Sequence, residues 1–201
     1  RVLVSTNTIN LQEQLLTKDI PVMIEGLDSA GVLSMDELKY CVLKGRNNYL
    51  CLRRWFNLST SEGLSEDEAR ILSKILVWLQ STETGDRNHL NLGSRNASLP
   101  WSRLSAQGAQ ECIGVSGVCF LRSARDQASA SHLVIVNHAL LMSDIGSSRS
   151  ILPDYDILIV DEAHHLEDQA TTLLGFELGQ RGIDEHLQTM LGERSLMNKA
   201  L

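Results

Sequence analysis

DYDILIVDEAHH, residues 154–165, is the stretch whose reading decides the fold. Ile157, Leu158, Ile159 and Val160 form an apolar, β-branched run of the kind that makes a strand buried on both faces. Asp161 and Glu162 follow at once, at that strand's carboxyl end. In an open parallel α/β sheet, ligands collect in the crevice beyond the carboxyl ends of the strands. Two adjacent carboxylates there suit a Mg²⁺-nucleotide site. One holds the hard cation, directly or through water, and the other orients or deprotonates an attacking water. The same letters also fit an acidic turn with Asp161 as a helix N-cap.

Composition bounds what can surround this strand. The 201 residues are 43% apolar, enough for one good core or one core plus a small insertion. A net charge of −7 excludes a basic nucleic-acid wrapper, so any such contact must be a local patch. No apolar run reaches the roughly 18 residues of a membrane span. The amino-terminal residues lack the apolar core of a signal peptide. The chain starts inside a strand-like run without an initiator methionine and reads as a piece of a longer protein. Four cysteines in an α/β chain of intracellular type argue for metal or free thiols before disulfides.

Upstream, Val2-Leu3-Val4 reads as a short strand. It leads through Ser5-Thr6-Asn7-Thr8 into a helix over 9–17. That polar block can hold a phosphate at exposed N–H groups and hydroxyls, or it can simply cap the helix. Pro21 and Gly26 are expected to break the segment 18–36, and 38–42 reads as a second strand. Lys44-Gly45-Arg46-Asn47-Asn48-Tyr49-Leu50-Cys51 brings together two cations, an aromatic ring and a thiol, and Arg53 and Arg54 extend it. The set suits a nucleic-acid backbone with stacking or a metal, and equally a solvated basic turn. Ser65-Glu66-Asp67-Glu68 is a capping box, and Ile71, Leu72, Ile75, Leu76 and Leu79 continue it as an amphipathic helix over 66–79. Residues 82–105 are loop-like, with a turn at Gly85-Asp86-Arg87 and an anchor at Leu99-Pro100-Trp101. Cys112 and Cys119 bracket a glycine-containing loop able to bend around a cluster or an ion. A helix over 120–130 follows, then a strand over 132–136 and a helix start at 137. Ile183, Leu187, Met190 and Leu191 space one more amphipathic helix.

Five ordered segments resemble one family. Residues 4–21 resemble motif Ia of the DinG/XPD-type superfamily 2 iron–sulfur DNA helicases. Residues 44–51 resemble the segment with that family's first cluster cysteine, and Thr84-Gly85-Asp86-Arg87 a turn of the cluster domain. Residues 119–141 resemble the last cluster cysteine and the return to the motor, and Asp161-Glu162-Ala163-His164 motif II, the DEAH box. The similarity is nearest to bacterial DinG-like members. The fold it implies is α/β: a partial RecA-like parallel sheet with a mostly helical iron–sulfur-type insertion. The first part of motor domain 1 would span 1–50 and its second part 126–165. The insertion would occupy 51–125, and a helical arch would begin at 166–201.

The resemblance implies an ATP-dependent 5′-to-3′ DNA helicase of bacterial DNA repair, cytoplasmic and nucleoid-associated, a monomer without membrane contact, acting on single-stranded or forked DNA. Asp161 would bind Mg²⁺, Glu162 would activate the hydrolytic water, and His164 would link the nucleotide site to DNA movement. Thr6 and Thr8 would touch strand phosphates. Lys44, Arg46, Tyr49, Arg122 and Arg125 would lie along the DNA path. Cys51, Cys112 and Cys119 would ligate a [4Fe–4S] cluster, one cysteine short of the four thiolates such a cluster needs. The remaining thiol, Cys41, reads as a buried apolar residue or as a distant fourth ligand. No G-x-x-x-x-G-K-[ST] phosphate loop occurs in the 201 residues, so this stretch alone is expected to be inactive. The alternatives are a non-catalytic, degenerate nucleic-acid-binding module and a zinc or redox site completed by His89 or His132.

Overall fold

Four parallel strands in the order β2-β3-β1-β4 gather segments far apart in the chain into one sheet. The computed structural model describes residues 1–34, 37–92, 99–108, 118–147 and 151–174. β1 (Val2–Thr6) is central, with Val4 opposite both Ile135 of β3 (Leu133–Asn137) and Ile159 of β4 (Ile157–Val160). β2 (Tyr40–Val42) closes the other side against β3. Parallel strands need long crossovers, so the connections carry the helices. This is a partial RecA-like α/β arrangement.

The first crossover holds α1 (Ile9–Gln14), a π-helical turn (Leu15–Asp19) and α2 (Ile20–Ser29) as one unbroken helical run. The sequence predicts a break at Pro21, and the structure shows none. Proline lacks a donor and crowds the carbonyl a turn before it. The π turn directly ahead widens the helix there, so the run passes Pro21 without ending. Gly26 also lies inside α2.

The sheet alternates as the period of two requires. Val134 and Val136 join Leu3, Cys41 and Leu43 under Leu140 and Leu141 of α6 (His138–Gly146). Ile135 faces the other way, onto Ile20 and Ile24 of α2. Asp144 is buried on α6, and its Oδ1 accepts from the backbone N of Ile151 at 2.8 Å and of Leu152 at 2.9 Å, closing the loop after that helix.

The strand read as buried on both faces is an edge strand. Ile157, Leu158 and Ile159 are 55%, 40% and 50% exposed. Among the described residues β4 pairs only with β1, so no further strand or helix layer covers its apolar side chains. α7 (Leu166–Leu174) follows through a 3₁₀ turn, Ala163–His165. The stripe expected at 183–191 lies outside the described residues.

Between the two sheet segments, α3 (Leu52–Ser59), α4 (Glu66–Trp78) and α5 (Phe120–Ala130) build a separate core that includes Tyr49, Leu50, Leu72, Ile75, Leu104 and Phe120. The capping box forms: Ser65 Oγ accepts from Glu68 N at 3.3 Å and Glu68 Oε2 accepts from Ser65 N at 3.0 Å. Such a cap contributes about 1 kcal/mol. Leu99 and Trp101 anchor the long connection, both buried in this core. Trp101 Nε1 donates to the Asn47 carbonyl, and the Arg87 guanidinium lies 5.5 Å from the Trp101 ring centre. No helix of the described residues is long and apolar enough to cross a membrane.

Candidate nucleotide and nucleic-acid site

The acidic pair stands where the carboxyl rim of the sheet places it. Asp161 N donates to Ser5 O at 2.9 Å, extending the β1–β4 ladder by one bond before the chain turns. Glu162 then adopts a left-handed conformation, φ 54 and ψ 40, the one non-glycine with positive φ among the described residues. A residue with a Cβ costs about 1–2 kcal/mol in that region. Its effect here is to swing the chain off β4 into the 3₁₀ turn, leaving both carboxylates exposed. His164 Nε2 lies 3.4 Å and His165 Nε2 4.0 Å from Glu162 Oε2. Carboxylate oxygens suit a hard cation such as Mg²⁺, and the pair is open to receive one.

At the neighbouring end of β1 the residues divide. Thr8 is exposed at the helix N-cap, its Oγ1 accepting from Leu11 N at 3.3 Å. Thr6 is fully buried, and its hydroxyl donates to the Thr8 carbonyl at 3.2 Å. Its side chain is not turned outward to a phosphate, which corrects that expectation. Sequence reasoning missed the partner of Ser5. Ser5 Oγ lies 2.7 Å from His138 Nδ1, both buried, so the first residue of α6 is tied to the strand whose carbonyl holds Asp161. The one signal was a polar Asn137-His138 pair directly after an apolar strand.

The basic segment after β2 also divides. Lys44 is only 5% exposed, and its Nζ donates to Glu13 Oε1 at 2.7 Å and Asp86 Oδ2 at 2.5 Å. Its charge is spent within the protein, so it is not a free phosphate ligand. Tyr49 is buried too, its hydroxyl accepting from Lys44 N at 3.0 Å. Burial pushes that phenol up to about 12, and no ring face is open for a base to stack on. Arg54 donates to the carbonyls of Ser102 at 2.8 Å and Ser105 at 3.2 Å, so it staples a loop rather than extending a patch.

Arg46 and Arg125 behave differently. They line one cavity of about 290 Å³ with Asn47, Gln107 and Ser143. Arg46 is exposed and Arg125 half-buried, and neither has a carboxylate partner among the described residues. Burial lowers the Arg125 pKa, and the nearby Arg46 charge lowers it further. Two guanidiniums without a carboxylate partner, beside neutral donors, have the chemistry to receive an anion. Arg122 is exposed on the same helix, one turn earlier.

Three of the four thiols lie among the described residues. Cys51 is buried at the N-cap of α3, and Cys119 is half-buried at the N-cap of α5. Cys112 lies outside the described residues. Cys41 sits in β2, within the sheet's core, where burial raises its pKa against an opposing Ser131 hydrogen bond and the Arg1 charge. The chain has four cysteines and one belongs to the sheet, so the residues do not fit a cluster held by four cysteines of the insertion.

The parallel sheet with an acidic pair at its carboxyl rim defines a partial RecA-like α/β fold. No family model matches the chain. It is 35% identical over 196 residues to the "ATP-dependent helicase DinG" of Mycobacterium tuberculosis, covering 88% of this chain and 29% of that protein. It is 33% identical over 192 residues to the "ATP-dependent DNA helicase YoaA" of Haemophilus influenzae, covering 90% and 28%. It is 36% identical over 181 residues to the "3'-5' exonuclease DinG" of Bacillus subtilis, covering 87% and 18%. The chain is DinG-like, and it spans less than a third of the length of these relatives.

Proposed function

We propose that this stretch forms part of the first motor domain of an ATP-dependent DNA helicase, with 51–125 as an insertion beside it and an arch beginning at 166–201. The observation that carries the reading is the exposed Asp161–Glu162 pair, hydrogen-bonded through Asp161 N to the strand that leads to Thr8. The names of the relatives agree with it. Asp161 would hold the Mg²⁺ of a bound nucleoside triphosphate through water. Glu162 would orient the attacking water and take its proton, and His164, beside it, would pass the state of that site onward. Positioning and charge account for most of such catalysis.

Thr8 supplies a hydroxyl to a strand phosphate, and Arg46 and Arg125 hold another in their shared cavity, with Arg122 at its approach. DNA in the cytoplasm, single-stranded or forked and met during repair near the nucleoid, is the substrate this arrangement suits. A monomer moving 5′ to 3′ follows from the family resemblance. A [4Fe–4S] cluster in the insertion would need a fourth ligand that is not one of the insertion's cysteines. Cys51, Cys112 and Cys119 supply at most three thiolates to it.

The test is ATP hydrolysis with and without single-stranded DNA, in a protein carried to the length of the relatives. Glu162→Gln should lower turnover by about 10²–10⁴-fold, the usual contribution of a general base, and leave nucleotide affinity intact. The 201-residue chain alone should show no turnover. Steady hydrolysis by that chain, abolished by Glu162→Gln, would overturn the assignment of half a site.

A further inference from the structure

Lys44 joins three parts of the chain that are remote in sequence. Its ammonium binds Glu13 on α1 and Asp86 in the turn before the 3₁₀ segment Arg87–His89. Asp86 is fixed from several sides. Its Oδ1 accepts from Asn88 N at 3.0 Å, its N donates to Thr84 Oγ1 at 3.3 Å, and its backbone bridges to Tyr49. Glu13 is the loose partner. Its side chain is 34% exposed, against 4% for Lys44 and 7% for Asp86. A cavity of about 170 Å³ lined by Glu13, Lys44, Asp86 and His89 gives its carboxylate room to move. The π turn that starts two residues after Glu13 is a register break at which helices bend.

Stability alone does not account for this arrangement. A desolvated ion cluster commonly contributes no more than well-packed apolar residues of the same volume. Its distinctive property is direction: each carboxylate comes from a different structural unit, and the lysine holds their relative placement. We propose that Glu13, Lys44 and Asp86 form a positioning joint that carries movement of α1, whose amino end holds Thr8, into the helical insertion. This rests on the motor reading above. A strand pulling on the amino end of α1 shifts Glu13, and Lys44 passes that shift to Asp86 and the core behind it. Without the joint, hydrolysis and strand contact persist, and the insertion no longer follows them.

The experiment uses the relative-length protein with an oligo-dT strand and a forked duplex. Lys44→Met alone strands a buried carboxylate and harms folding under any role, so the informative variants are Glu13→Ala and the neutral triple Glu13→Ala/Lys44→Met/Asp86→Asn. Glu13→Ala leaves the buried Lys44–Asp86 pair in place and keeps the fold. Both variants should keep oligo-dT-stimulated ATPase within about twofold of the parent and lose about tenfold or more in base pairs opened per ATP, the scale of a typical coupling energy. Unwinding per ATP equal to the parent's in Glu13→Ala overturns the joint. A fall in ATPase that matches the fall in unwinding also overturns it, because that marks a purely structural role. A parent that hydrolyses no ATP refutes the motor reading itself and the joint with it.

Discussion

Gly85→Ala should be among the most damaging single-methyl changes available in the described residues. Gly85 has φ +61, and an added Cβ would lie 2.2 Å from Phe120 Cδ2, 2.3 Å from Cγ and 2.9 Å from Cβ. The last contact is with the root of the ring, so a rotamer change cannot relieve it. The left-handed backbone costs about 1–2 kcal/mol for a residue with a Cβ. The overlap adds about 1–3 kcal/mol, and the stiffer unfolded chain returns about 0.4–1 kcal/mol. The net loss is about 1–5 kcal/mol. The three tryptophans, Trp55, Trp78 and Trp101, all lie in or against the core that contains Phe120. Urea unfolding followed by their fluorescence therefore reads this unit selectively, with far-UV circular dichroism following the whole chain. Phe120→Ala should cost about 3–5 kcal/mol by itself. The double variant should be less destabilised than the sum by about 1–3 kcal/mol, since the ring that clashes is gone. A Gly85→Ala loss under about 0.5 kcal/mol would refute the contact and the backbone assignment together, and strict additivity in the cycle would refute the contact.

Acid should weaken the same core through Glu68. Donation from Ser65 N and Oγ, with Arg103 beside it, holds that carboxyl below the ordinary glutamate range. A depressed carboxylate gives stability that is present above its unfolded pKa and lost as pH falls through the folded one, so the fluorescence midpoint should drop between about pH 5 and about pH 3. Glu68→Gln should flatten that drop, and an unchanged pH profile would count against the cap. Thiol labelling of the native chain, read by mass spectrometry, should mark Cys119 well before Cys41, whose thiol is buried and held protonated. Equal labelling of the two would place Cys41 outside the sheet core.

The elements visible in the sequence were those specified by nearby residues. The helix over 120–130 matches α5 residue for residue, and the capping box at Ser65 fixes the start of α4. The acidic pair was legible because a strand period ends abruptly in two carboxylates. Burial of charge was not legible, because it depends on distant partners. Lys44 looks like a solvated cation beside Arg46, yet its two carboxylates come from 31 and 42 positions away. Tyr49 looks like a stacking ring, but the antiparallel bridge to Asp86 draws it inward. Thr6 reads like Thr8 in a string of polar residues, but Thr6 ends β1 and is buried, while Thr8 lies past the strand at the exposed N-cap of α1. Ile157, Leu158 and Ile159 carry the opposite lesson. Their composition suits a covered strand, while their position here is an edge.

Where the basic side chains are already committed decides where an anion can sit on a chain of net charge −7. Lys44 is held by Glu13 and Asp86, Arg70 by Glu66, and Arg103 by Glu68. Arg1 and Arg54 are bound to backbone carbonyls. Arg46 and Arg125 are left facing a cavity next to the loop that leaves β2. All strands are parallel, so that loop and the Asp161–Glu162 turn leave the sheet on the same side, from opposite edges. Three strand spacings separate the edges, about 14 Å. The separation exceeds a Debye length at physiological salt, about 8 Å. A phosphate held by the arginines and a Mg²⁺-nucleotide held by the acids, as proposed, would therefore occupy one rim without competing. Communication between two such ligands would run through β1 and the β3–α6 junction, where Ser5 Oγ lies 2.7 Å from His138 Nδ1.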